Sequence, residues 1–177
     1  IELYPSNNAY QIQGEYVLKN NTNRPISSIL LNFHPDLKIE SATFKYHNKR
    51  FKVDDYVTEI QLRNPLLPDE MANLDFELSY KWVAVNGHQS FNAIIKNGSF
   101  MRISNYFPGI GYQINREVDD EQKRKEFQLG QASGIKKLDA PETFKNDFLT
   151  LDMTVSTEAT QIAVGTGDMV KKWSENN

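Results

Sequence analysis

The chain has 177 residues, 39% of them apolar and 24% charged, a globular composition suited to one domain. Lys and Arg number 20 against 23 Asp and Glu, and a net charge of −3 gives no field for tight nucleic-acid binding. With no cysteine, disulfides, thiolate metal ligands and cysteine nucleophiles are excluded.

In chain order, residues 10–18 alternate strictly. Tyr10, Ile12, Tyr16 and Leu18 share one face with Gly14, and Gln11, Gln13 and Glu15 take the other, as in a half-buried strand. The run from Asn20 to Pro25 predicts a turn. Residues 29–33 read as the returning strand, broken by Pro35 and Asp36. Residues 37–46 read as a third strand, with 47–50 a polar hairpin tip leading into 51–53. A short alternating run covers 58–62, and a proline-bounded turn is expected over 65–70. In the clearest strand, Leu74, Phe76, Leu78, Tyr80 and Trp82 alternate with Asp75, Glu77, Ser79 and Lys81. Residues 91–95 and 99–103 are expected to pair around Lys96-Asn97-Gly98, since Asn-Gly favours positive φ.

One surface helix is predicted over 119–129, with acids first, bases in the middle and Gly130 as its stop. Asp119/Lys123, Asp120/Arg124 and Glu121/Lys125 are expected as ion pairs one turn apart. Residues 130–146 read as loop. Strands resume over 148–155, 161–164 and 168–173, the last with Met169, Lys171 and Trp173 on one face. The expected fold is all-β: an antiparallel β-sandwich or saddle spanning 1–177 as a single β domain. The longest apolar runs, residues 29–31 and 82–85, fall far short of the ~20 needed to cross a membrane.

A search for chemistry finds little. His34, His47 and His88 are scattered, and His-Glu-x-x-His is absent. Ser99 lacks the second glycine of a hydrolase elbow, and Gly109-Ile-Gly111 and Gly165-Thr-Gly167 read as turns. Asn20 and Asn97 each open a glycosylation acceptor triplet. The basic cluster Lys49, Arg50 and Lys52 reads as a solvated hairpin tip. No catalytic residue, metal ligand or cofactor site is assigned, and the chain alone is expected not to be an enzyme.

The stretch from Asn97 to Tyr112, Asn-Gly-Ser-Phe-Met-Arg-Ile-Ser-Asn-Tyr-Phe-Pro-Gly-Ile-Gly-Tyr, precedes Glu117-Val-Asp-Asp120 and Arg124. It resembles the N-terminal β domain of M1-family zinc aminopeptidases, in particular the bacterial form fused to an ABC transporter permease. The Tyr-x-Ile-x-Gly-x-Tyr-x-Leu-x-Asn pattern over 10–20, Pro-Leu-Leu-Pro-Asp-Glu over 65–70 and Val155-Ser-Thr157 fit the same pattern. The resemblance implies a non-catalytic domain that packs on the zinc-peptidase domain of the same polypeptide and borders its substrate cleft. Zinc and the peptide substrate would then belong to that further domain. Membrane attachment would lie in other parts of the parent, placing this chain on the extracytoplasmic side.

Domains of this kind lend a Gln or Glu to the substrate's amino group shortly before Phe-Pro, and none lies between Asn97 and Phe107 here. Asn97, Ser99, Arg102 and Asn105 are left as the cleft border, and Arg102 would repel an ammonium. Tyr106, Phe107, Pro108 and Tyr112 are the implied docking residues. The alternative reading is an independent carbohydrate- or surface-binding sandwich, with Tyr106, Phe107, Tyr112 and Trp173 as stacking platforms. The chain opens at Ile1 and reads as a C-terminally incomplete piece of a longer protein. Weak self-association through an unpaired last strand bearing Trp173 is expected.

Overall fold

The computed structural model describes residues 1–82, 94–100, 107–112, 117–130 and 149–175. It forms two compact units, one of residues 1–110 with 153–177 and one of 111–152. The first unit is all-β. Its strands are β1 (Glu2–Tyr4), β2 (Ala9–Lys19), β3 (Ile26–Asn32), β4 (Lys38–Tyr46), β5 (Lys49–Lys52), β6 (Val57–Leu66), β7 (Met71–Lys81), β8 (Ile94–Ile95), β9 (Gly98–Ser99) and β10 (Gly109–Ile110). One antiparallel sheet runs β1-β2-β7-β4-β5, a second runs β10-β3-β6, and β8-β9 is a separate hairpin.

Both larger sheets feed one core. Tyr10, Ile12, Ala42, Phe44, Leu74, Phe76, Leu78 and Tyr80 come from the first, and Ile29, Leu31, Ile60 and Leu62 from the second. Each set follows the period-two pattern, so the opposite faces carry polar residues to solvent. Burying a Leu or Phe side chain is worth about 1.5–3 kcal/mol, and this shared core is the main stabilising term.

Several boundaries differ from the sequence reading. β6 continues through Pro65 to Leu66, so the turn shrinks to residues 67–70. β6 is an edge strand, where a residue without an N–H is tolerated. In the β8-β9 hairpin the turn is Lys96-Asn97, and Gly98 already pairs with Ile95. Residues 91–93 and 101–103 lie outside those described. The expected strands over 148–155, 161–164 and 168–173 do not form among the described residues. There Ser156 bridges Glu2 in parallel, with bonds from Leu3 N to Ser156 O and from Ser156 N to Ile1 O, both 2.9 Å. Alternation there predicts a face, and a strand also needs a partner.

In the second unit, helix α1 spans Glu121–Glu126, shorter than the predicted 119–129. Asp120 is its cap, accepting from Lys123 N at 2.8 Å. None of the three expected ion pairs forms. Arg124 is buried instead, donating to Glu117 at 3.0 Å, to Val118 O and to Gly130 O. The guanidinium's fork of donors satisfies backbone carbonyls on both sides of the helix.

Asn20 holds one end of the first unit together. Its buried amide donates to Arg24 O and Leu66 O, both at 2.9 Å, and its Oδ1 accepts from Thr22 N and Oγ1. The ends of β2 and β6 and the start of β3 are thereby linked. Asn20→Ala removes the side-chain donor to the buried Leu66 carbonyl, so we expect a loss of about 1–3 kcal/mol in urea unfolding.

Gly14 pairs directly with Phe76 across β2 and β7, and the ring lies over the bare Cα. A Cβ built there falls 2.4 Å from the Phe76 Cζ. Gly14→Ala therefore displaces a ring that stacks edge-on with Tyr16 at 5.1 Å. The expected cost is about 1–3 kcal/mol of overpacking, read as a lower urea midpoint with unchanged slope.

Candidate functional site

The β8-β9 hairpin is anchored by Ile94, which is fully buried. Its neighbours Ile95 and Phe100 remain 43% and 72% exposed. The tip carries Lys96 and Asn97 to the rim of a recess of about 470 Å³, also lined by Ser6, Glu158, Thr160 and Gln161.

Hydrogen bonds build this recess from three distant parts of the chain. Ser6, in the 3₁₀ turn Pro5–Asn7, donates its N–H to Glu158 Oε1 at 2.8 Å and its hydroxyl to Oε2 at 2.6 Å. Gln161 Nε2 donates to Lys96 O at 2.7 Å, tying the hairpin to the same segment. The Ser6 hydroxyl, followed by the Ser6 N–H, holds the Glu158 carboxyl below its ordinary 4.5. The recess thus presents a carboxylate, amides and hydroxyls, groups suited to binding a polar chain by hydrogen bonds.

Of the expected cleft residues, Asn97 sits on the recess rim and Ser99 is exposed on β9 opposite Ile94. Arg102 and Asn105 lie outside the described residues, as does Tyr106. Of the expected docking residues, Pro108 is buried, and Phe107 is half-buried against this chain's own core with its ring 6.4 Å from Phe76. Tyr112 belongs to the other unit, is 65% exposed, and donates its hydroxyl to Glu117.

Sequence reasoning missed Ser6, Glu158, Thr160 and Gln161, whose convergence has no local signal. It also treated two acceptor asparagines alike, whereas Asn20 is sealed in the core and Asn97 is exposed. The outer face of β2, β4 and β7 shows Gln, Glu, Asn, Thr, Ser and Lys, without an aromatic ring among the described residues. In the basic hairpin Lys52 pairs with Asp54 at 2.9 Å, and Lys45 beside it pairs with Asp75 of β7.

A depressed carboxyl pKa stabilises the fold above the unfolded value and ceases to do so as pH falls through the folded value. The Ser6–Glu158 tie is therefore complete above about pH 4.5 and loosens below its own lower pKa. The Ser6 amide resonance should report that transition by NMR, and Ser6→Ala should shift it upward toward an ordinary glutamate. No protein-family model and no curated protein matches the chain.

Proposed function

We propose that this chain is a non-catalytic β domain that packs against a zinc-peptidase domain of the same polypeptide and borders its peptide cleft. The observation that supports it most is the β8-β9 hairpin, where exposed Ile95 and Phe100 flank a polar recess with Asn97 on its rim. An apolar contact beside hydrogen-bonding groups suits a domain interface that opens onto a polar substrate. The resemblance of residues 97–112 to M1-type N-terminal domains points to the same partner. Docking falls to Ile95 and Phe100, which are exposed, whereas Phe107 packs on the core.

In this reading the partner domain supplies zinc and the chemistry, and Asn97 offers one donor and one acceptor to the peptide backbone. The parent, fused to a permease, would display both domains on the extracytoplasmic side.

Two measurements test this. Hydrogen exchange on the two domains produced from one gene should slow at residues 94–100 relative to this chain alone. Unchanged exchange there would sink the docking arrangement. The chain alone should hold no stoichiometric zinc after dialysis and should leave an aminoacyl reporter intact, whereas turnover would overturn its non-catalytic role.

A further inference from the structure

After Gly167, whose φ of 95° marks a turn, residues 168–172, Asp-Met-Val-Lys-Lys, belong to no strand or helix. No backbone hydrogen bond joins them to another described residue. Val170 is 97% and Met169 77% exposed, an unusual solvation for adjacent large apolar side chains. Trp173, next along, is committed within the chain. Lys171 lies 5.5 Å over its ring, and its Nε1 donates to Glu175 at 3.0 Å.

The charges around Val170 are self-complementary. In a symmetric antiparallel pair the two-fold axis stands perpendicular to the strands, and residues facing each other must point to the same side. One residue therefore faces its own copy across the axis, and the other facing residues lie equally far from it along the chain on either side. Of the registers centred on a residue from Asp168 to Lys172, only that on Val170 sets opposite charges together. It faces Asp168 with Lys172 twice and Val170 with itself, and Met169 lies along the stem of Lys171. Centring on Asp168, Lys171 or Lys172 sets like charges face to face, and centring on Met169 pairs none.

We propose that residues 168–172 form an interface with a second copy of this chain, as an antiparallel strand pair with the two-fold axis between the two Val170 residues. This surface is separate from the β8-β9 hairpin and does not rest on the peptidase reading. So short a pair gives a weak dimer, with Kd on the order of 0.1–1 mM.

The chain has no cysteine, so Val170→Cys supplies a clean reporter. Under mild oxidation it should cross-link to itself, because facing Cα atoms in such a pair lie within disulfide reach. Val164→Cys, 88% exposed but outside the pair, should not. By sedimentation equilibrium, Asp168→Lys and Lys172→Asp should each weaken the dimer about tenfold, since each sets like charges at two symmetric places. The double reversal should restore it. A strict monomer at millimolar concentration, equal cross-linking at Val164, or a double reversal no tighter than the singles would overturn the proposal. Faster cross-linking from Trp173→Cys than from Val170→Cys would overturn the register.

Discussion

β7 is hydrogen-bonded along both edges, and its register governs two neighbours at once. It pairs with β2 from Tyr10↔Tyr80 to Leu18↔Ala72, and with β4 from Ile39↔Leu78 to Lys45↔Asn73. A slip of one residue would carry Leu74, Phe76 and Leu78 from the core to water on a single strand. β4 meets this constraint with a bulge at Glu40, between Ile39 and Ser41. The extra residue reverses the parity of the strand, so that Ile39 before it and Ala42 and Phe44 after it all face inward. Glu40 is turned outward, where Lys38 Nζ and Ser79 Oγ each donate to it at 2.7 Å.

From that sheet the recess follows by connection. β1 and β2 hold the 3₁₀ turn between them, which aims the Ser6 N–H and hydroxyl at one carboxylate. The β8-β9 hairpin roots in the core through Ile94 and lifts its tip to the same place. A rigid scaffold thus carries a polar surface built largely from loop residues, the usual division between packing and recognition.

The strands with strict alternation were legible from sequence. In β2 and β7 one face is buried and one wet, and a one-dimensional pattern records both. Asn20 was not legible as a core residue, because a turn-forming asparagine and a buried one look alike until Leu66 O arrives from 46 residues away. Residues 148–173 alternate as well, yet their pattern says nothing about which edge, if any, is available to pair. The helix was placed correctly but drawn too long, since its charges suggested ladders along the helix while Arg124 turned inward to backbone carbonyls. Asn97 was found at the site through a local motif, whereas Glu158 and Gln161 owe their place to contacts across the whole sequence.

The bridge between Ser156 and the first residues has a bearing on synthesis. β1 and β2 leave the ribosome well before the segment that holds Ser156, which among the described residues pairs the outer edge of β1. At about 5–20 residues per second that edge waits roughly ten to thirty seconds. During the interval the sheet exposes backbone donors and acceptors on a short strand, open to any extended segment nearby. Closing a loop of this span costs entropy that grows only with the logarithm of its length, so the delay is set by translation rather than by the equilibrium. The nascent chain is then most open to mispairing along β1, long after its central strands have found each other.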